Sequence, residues 1–410
     1  MKNERSAQMT RGTSRAPHRS LLYALGMTED EMKRPLIGVV NSYNELIPGH
    51  IHLNELTQCV KDGIRTAGGV PMEFPAIGVC DGTAMNHGGM KYSLVSRDVI
   101  ADSCELVLTA QPLDAVVFLP SCDKIVPGML MAAARLDIPA IFVTGGPMLP
   151  GKYGTERVGL SNLFEASGAC ASGKITECEL SEWEKACCPT CGSCSGMYTA
   201  NTMCCLTEAM GMALPGNGTI PAVFSERRRL AKQAGIQIMK LLESGLTARM
   251  IMTEDAIRNA MRVDMALGGS TNSVLHMLAI ARECGYPLTV DEISDISDQT
   301  PQLCKLNPAS SIFITDLNEV GGITAVMAEL SKGGKVCVDN PSVDGSICGR
   351  ITGNPGADGI VIRPISDPYA RDGGLAILKG NLASEGAVVK KGAVLPEMMT
   401  HTGPARVYNS

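Results

Sequence analysis

From residue 35 onward short apolar runs alternate with longer amphipathic ones: PLIGVVN, LNELTQCVKDGIRTAGG, FPAIGVC, SLVSRDVIADSCELVLTA, AVVFLP, PGMLMAAARLD and AIFVTGG. The short runs carry almost no polar residues, as strands buried on both faces do, and the longer ones have helical spacing. This βαβ pattern predicts an α/β fold with a mostly parallel sheet covered by helices. In such sheets ligands gather beyond the carboxyl ends of the strands. Polar clusters follow those ends at Asn41-Ser42, Cys80-Asp81, Ser121-Cys122-Asp123-Lys124 and Thr144-Gly145-Gly146. Four strand ends are therefore expected to converge on one site.

The middle of the chain reads as helical, with stops at Pro215-Gly216-Asn217-Gly218 and Gly268-Gly269 and a helix start at Thr253, followed by Glu254 and Asp255. Beyond about residue 340 Gly, Pro and Asp become dense, which predicts a strand-and-turn region leading to a linker. GGLAILKGNLASEGAVVKKGAV then reads as the first strands of a separate β domain. Only about 35 residues follow the linker, fewer than an independent β domain needs to close.

Composition narrows the chemistry. The 410 residues are 45% hydrophobic and carry a net charge of -6 from interspersed acids and bases, with no basic stripe to meet a nucleic acid. The first twenty residues are polar, without the apolar core of a secretory signal, and no apolar run is long enough to span a bilayer. A cytoplasmic location, with neither nucleic acid nor membrane as partner, is the expectation. Sixteen cysteines in so long a chain point to reduced thiols. Cys59, Cys104, Cys204, Cys205 and Cys284 fall in helical apolar patterns and are expected to be small buried hydrophobes.

Four stretches carry chemistry. In PSCDKIVPG, Cys122 offers a soft thiolate suited to iron and the adjacent Asp123 a hard oxygen suited to magnesium. The plainer alternative makes Asp123 a helix cap and Lys124 a solvated side chain. CCPTCGSCSGMYTANTM holds Cys187, Cys188, Cys191 and Cys194 before a helix expected from about Met197, whose dipole would favour thiolates. A zinc ribbon lacks its second Cys-x-x-Cys, and a thioredoxin-like dithiol would sit nearer the chain start, so an iron–sulfur ligand paired with distant cysteines is left. In GVCDGTAMNHGGMKYSL, Asp81 would pair with Asp123 around a magnesium ion, although Asp-Gly after a strand is often only a turn. LGGSTNSVLH opens a helix near Ser270 that suits either a substrate carboxylate or a hydroxyl-capped turn. His276 is expected in the core, and His50 and His52 near the site without being metal ligands.

Together NSYNELIPGHIHL, GVCDGTAMNHGGMKYSLVSRDVIADS, PSCDKIVPGML, CPTCGSCSGMYTANTM, ALGGSTNSVLH and GGLAILKGNLASEGAVVK resemble signatures of the IlvD/Edd dehydratase family, in its dihydroxy-acid dehydratase branch, over nearly the whole chain. The resemblance implies an αβα N-terminal domain, here residues 1–365, and a β-barrel-like C-terminal domain begun at 366–410. It implies a homodimeric hydro-lyase turning 2,3-dihydroxy-3-methyl acids into 2-keto acids, in valine, isoleucine and leucine biosynthesis. It assigns an iron–sulfur cluster to Cys122 and Cys194 and magnesium to Asp81, Asp123 and Lys124. A protonated lysine has no lone pair for a cation, so Lys124 would act as its carboxylated form. Iron would take the departing hydroxide as a Lewis acid.

Two departures accompany the resemblance. Gly49 stands where plant-type relatives place their first cysteine ligand, so Cys80 is a candidate replacement and the cluster either 2Fe–2S or 4Fe–4S. The family's Arg-Phe-Ser-Gly motif, with its serine base, and a further glutamate ligand are not found after residue 370. No catalytic residue is therefore assigned, and the expectation is an inactive fragment, or one half of a split enzyme with a separate C-terminal half. A sugar-acid dehydratase of the same family and a non-catalytic iron–sulfur-binding remnant are the alternatives.

Overall fold

The computed structural model describes residues 4–407. A four-stranded, wholly parallel sheet forms the centre, from β1 (Leu36–Asn41), β2 (Val70–Pro75), β3 (Ala115–Leu119) and β4 (Ala140–Phe142) in the spatial order β2-β1-β3-β4. Register runs from Leu36 opposite Val70, Ile37 opposite Ala115 and Val116 opposite Ala140. Every residue of β1, β3 and β4 is buried, which is why their sequences are unbroken apolar runs. Phe118 and Phe142 stack across neighbouring strands with ring centroids 5.0 Å apart.

The crossover helices are α1 (Leu53–Thr66), α2 (Ser93–Ala110) and α3 (Ile125–Leu136), each joining two strands of the sheet. The chain adds β2 on one side of β1 and then β3 on the other, so the order reverses between β1 and β3 and a crevice opens beyond their carboxyl ends. After the sheet come α4 (Glu177–Cys187), α5 (Thr199–Ala209), α6 (Ser225–Ser244), α7 (Glu254–Leu267), α8 (Asn272–Glu283) and α9 (Val290–Gln299). Helices α1 and α6 cross at Gly63 and Gly235, where a Cβ would meet Lys232 O at 2.1 Å and Val60 O at 2.2 Å. Only glycine permits that approach. Thr253 caps α7, accepting from Ala256 N at 3.1 Å, as its sequence suggests.

The strand expected at FPAIGVC lies four residues earlier. Pairing with β1 ends at Asn41–Pro75, and Ala76 N to Asn41 O, 2.9 Å, is its last bond. Beyond that bond β1 turns away, so residues 77–80 have no strand partner and 76–80 run as a loop. The helix expected from Met197 starts at Thr199.

Past residue 340 the chain makes a short ribbon and bends, then an antiparallel hairpin, β5 (Ala376–Gly380) and β6 (Ala383–Val389), with an irregularity between Ala383 and Ala387. The hairpin is anchored on α9: Ser297 Oγ donates to Leu375 O at 2.5 Å and Gly373 N to Ser297 O at 2.8 Å. Among the described residues no helix is long and apolar enough to cross a membrane.

Candidate metal site

Loops after β1 and β3 meet at the crevice. Ser42 Oγ donates to Leu119 O at 2.6 Å, and Gly145 N reaches Pro120 O at 3.2 Å from the loop after β4. The cysteine-rich loop docks across them: Gly192 N donates to Pro48 O at 3.0 Å and Ser193 N to Gly146 O at 3.0 Å. Asn201, in the first turn of α5, binds the carbonyls of Cys194 and Gly196 and accepts from Ser193 Oγ at 2.6 Å. These contacts fix Cys194 against the loop bearing Cys122. His50 and His52 brace the same junction through Nδ1 to Ser42 O, 2.7 Å, and Nε2 to Gly145 O, 2.9 Å.

Lys124, the residue before α3, is 4% exposed and its Nζ lies 2.8 Å from Asp81 Oδ2 and 3.1 Å from Asp123 Oδ2. The solvated lysine and the capping Asp123 of the plainer sequence alternative are thus not what forms. Asp81 is held from its other oxygen by Ser93 Oγ at 2.6 Å. Burial, then the Asp81 carboxylate, push Asp123 up to about 7, with Lys124 pulling the other way. Burial would raise Asp81 too, but hydrogen bonds from Asp123, Lys124 and Ser93 outweigh it and hold it low. Burial likewise disfavours the Lys124 ammonium, and the two carboxylates overcome that and raise it.

Asp123, Cys80 and Cys194 act electrostatically on Cys122, and Cys188, Asp123 and Cys80 on Cys194, while Cys80 and Cys122 directly precede Asp81 and Asp123 in the chain. The helix dipole does not make them thiolates. Burial, then Asp123 and Cys80, lift Cys122 well above the ordinary thiol value, and burial, Cys188 and Asp123 lift Cys194 to about 12. Cys194 stands five residues before α5, outside the short reach of a helix terminus, and Cys187 ends α4 instead. Desolvated thiols of this kind become anionic only against a cation, and a bound metal deprotonates them.

The donor set fits the two implied groups. Asp123 Oδ1 is buried with no hydrogen-bond partner among the described residues, an oxygen open to a hard cation, and soft thiols stand next to it. At Gly49 a Cβ would meet Ser121 Oγ at 3.3 Å and Ser193 N at 3.3 Å, so a side chain there would sit between the loops of Cys122 and Cys194. A cavity of about 310 Å3, lined by Leu25, Arg34, Arg65 and Met72 among others, opens at the opposite, amino-terminal ends of the strands.

A family model described as Dihydroxy-acid/6-phosphogluconate dehydratase N-terminal matches residues 34–350, and its C-terminal counterpart matches residues 360–410. The chain belongs to this dehydratase family. Removal of water makes its members hydro-lyases. Among curated relatives, the dihydroxy-acid dehydratase of Moorella thermoacetica is 61% identical over 407 residues, 99% of this chain and 74% of that protein. Those of Caldanaerobacter subterraneus subsp. tengcongensis and Maridesulfovibrio salexigens are 60% and 57% identical, each over 99% of this chain and 73% and 74% of their own lengths.

Ser270, expected at the helix start, lies two residues before α8 begins at Asn272, and the N-cap Thr271 makes no side-chain cap; Ser270 Oγ accepts from Asn272 N at 3.2 Å and meets Thr199 Oγ1 at 2.7 Å, and its N–H reaches Thr202 Oγ1 at 3.1 Å. His276 is fully buried, as expected, but packs beside a charge: Nδ1 lies 3.4 Å from Arg97 Nη1. Neither Ser93 nor Arg97 was singled out by sequence reasoning. Ser93 lies in the same signature stretch as Asp81, twelve residues on, and that proximity is its one local signal. Arg97 lies in that stretch too, but its contact with His276 spans 179 residues and has no local signal.

Proposed function

We propose that this chain carries the metal site of a dihydroxy-acid dehydratase, a cytoplasmic homodimer acting on 2,3-dihydroxy-3-methyl acids on the way to valine, isoleucine and leucine. The observation that carries it is the buried Asp81–Lys124–Asp123 array beside the thiols of Cys122, Cys194 and Cys80. Cys122 and Cys194, with Cys80 in place of a thiol at Gly49, would hold the iron–sulfur cluster. Asp81, Asp123 and a carboxylated Lys124 would hold magnesium. When bound, these groups supply a Lewis-acidic iron for the leaving hydroxide and a hard cation for the substrate carboxylate and C2 oxygen.

The chain's own residues orient and shield. Ser93 fixes the rotamer of Asp81, Asn201 and Gly146 clamp the Cys194 loop, and burial keeps bulk water from the array, strengthening each charge. Residues 1–365 would form the metal-binding unit and 366–410 begin the β unit. The Arg-Phe-Ser-Gly motif is not among the 410 residues, so no proton-abstracting base is assigned here.

Anaerobic purification tests the assignment. Iron and acid-labile sulfide should copurify with the chain and drop in Cys122→Ser and Cys194→Ser but not in Cys284→Ser. The visible spectrum of the loaded chain should respond to 2,3-dihydroxyisovalerate and not to 6-phosphogluconate. An iron-free chain, or a response to phosphogluconate alone, overturns the reading.

A further inference from the structure

Between Cys194 and α5 the chain passes through residues 194–198, which belong to no helix or strand. Single hydrogen bonds set its path. Asn201 Nδ2 binds the carbonyls of Cys194 and Gly196, Ile314 N donates to Ser195 O at 3.1 Å, and Met197 N donates to Asn307 O at 2.7 Å. Met197 is buried, and its carbonyl lies one residue outside the N-cap Tyr198, where the helical ladder opens with Thr202 N on Tyr198 O. The helix therefore offers Met197 O no donor. Lys390 does, with Nζ 3.1 Å away.

Lys390 comes from another part of the fold. It directly follows β6, and its hairpin is fastened to α9 by Ser297 Oγ on Leu375 O and closed by Gly392 N on Gly374 O at 3.1 Å. The same Nζ donates to Gly269 O, also at 3.1 Å. Gly269 is buried too and lies past the end of α7, where the left-handed Gly268 closes the helix and leaves the next carbonyl outside its ladder. Among the described residues neither carbonyl has another donor. A lysine ammonium carries three N–H groups, so one side chain answers both, and a buried carbonyl deprived of its donor is costly.

We propose that Lys390 is a positioning residue for Cys194: its amine holds the backbone leading from the cysteine loop into α5, and so makes the shape of that loop depend on the docked β5–β6 hairpin. The inference rests on the reading of Cys194 as an iron–sulfur ligand and adds to it a residue from the β unit. Removing the amine, or unfastening the hairpin that carries it, frees Met197 O and lets residues 194–198 open while the sheet stays closed.

Hydrogen–deuterium exchange read by mass spectrometry on the full 410-residue chain, prepared without iron, tests this. In Lys390→Met the amides of residues 195–198 should exchange about tenfold faster or more, as for loss of a hydrogen bond from a charged donor, while β3 keeps its wild-type rate. Lys390→Arg, whose guanidinium also carries several donors, should stay within about twofold of wild type. Ser297→Ala leaves Lys390 in place but unfastens the hairpin, and should speed the same amides about threefold or more. An unchanged rate at 195–198 in folded Lys390→Met overturns the proposal, as does equal acceleration in the Arg and Met variants or acceleration shared with β3. Should Lys390→Met fail to fold, Ser297→Ala decides, and an unchanged rate there refutes the coupling. With iron loaded, Lys390→Met should lose its visible absorbance to a chelator faster than wild type, and equal rates would show that the clamp does not reach Cys194. A wild-type chain that takes up no iron instead refutes the iron–sulfur reading, a separate outcome that leaves the exchange result standing.

Discussion

Replacing Asp264 by asparagine should flatten the pH dependence of stability. Asp264 has no exposed surface, accepts one hydrogen bond from Ser273 Oγ at 2.5 Å, and leaves Oδ1 without a partner against Gly269. Burial pushes its carboxyl from 3.8 up to about 7, with the Ser273 hydrogen bond and Lys390 opposing. The folded chain thus holds a proton that the unfolded chain has released over this interval. The resulting stability is fully present below the unfolded value and is lost as pH rises toward 7. At roughly 1.4 kcal/mol per pKa unit the loss is at most about 4 kcal/mol. Lys390, held down to about 8 by burial against the pull of Asp264, is relieved only above that value and does not mask the effect. Urea denaturation followed by far-ultraviolet circular dichroism, from about pH 5 to about pH 8, should show Asp264→Asn overtaking wild type as pH rises. A stability difference that stays constant to within about 0.5 kcal/mol across that range would refute the reasoning.

Three further outcomes follow from named contacts. Arg227, with no exposed surface, donates to the carbonyls of Thr144, Gly216, Asn217 and Ile220, so Arg227→Met should lose about 3–5 kcal/mol in chemical denaturation; a loss below about 1 kcal/mol would show those carbonyls find other donors. Gly235→Ala places a Cβ 2.2 Å from Val60 O and should cost about 1–3 kcal/mol or more by forcing α1 and α6 apart, read as a lowered melting temperature; an unchanged one contradicts it. Ser93→Ala frees Asp81 Oδ1 and should weaken magnesium binding about tenfold in calorimetric titration; affinity within about twofold of wild type would mean Ser93 does not orient the ligand.

How far local sequence reaches can be judged from the strands. PLIGVVN and AVVFLP are legible because burial on both faces forces an unbroken apolar run. VPMEFP is not, because β2 lies at the sheet edge and keeps Glu73 half-exposed, where it ion-pairs with Lys61. The apolar FPAIGVC competes for the same assignment, and only the length of β1 decides between them. Among the site residues, Asp81, Asp123 and Lys124 are legible as polar groups following apolar runs, and the sheet order brings two such ends together.

What the chain's sequence determines by itself is therefore its class, its family and the identity of its candidate ligands, since these depend on residue type and spacing within short stretches. Tertiary structure alone decides which side chains become neighbours and what charge each carries. The Cys194 thiol illustrates the difference: its place before a helix suggests an anion, but burial among other thiols and carboxylates makes a proton the favoured partner until a cation arrives. His276 shows the same dependence, since a ring on an apolar helix face acquires a defined tautomer only when Arg97, 179 residues away in sequence, is folded against it.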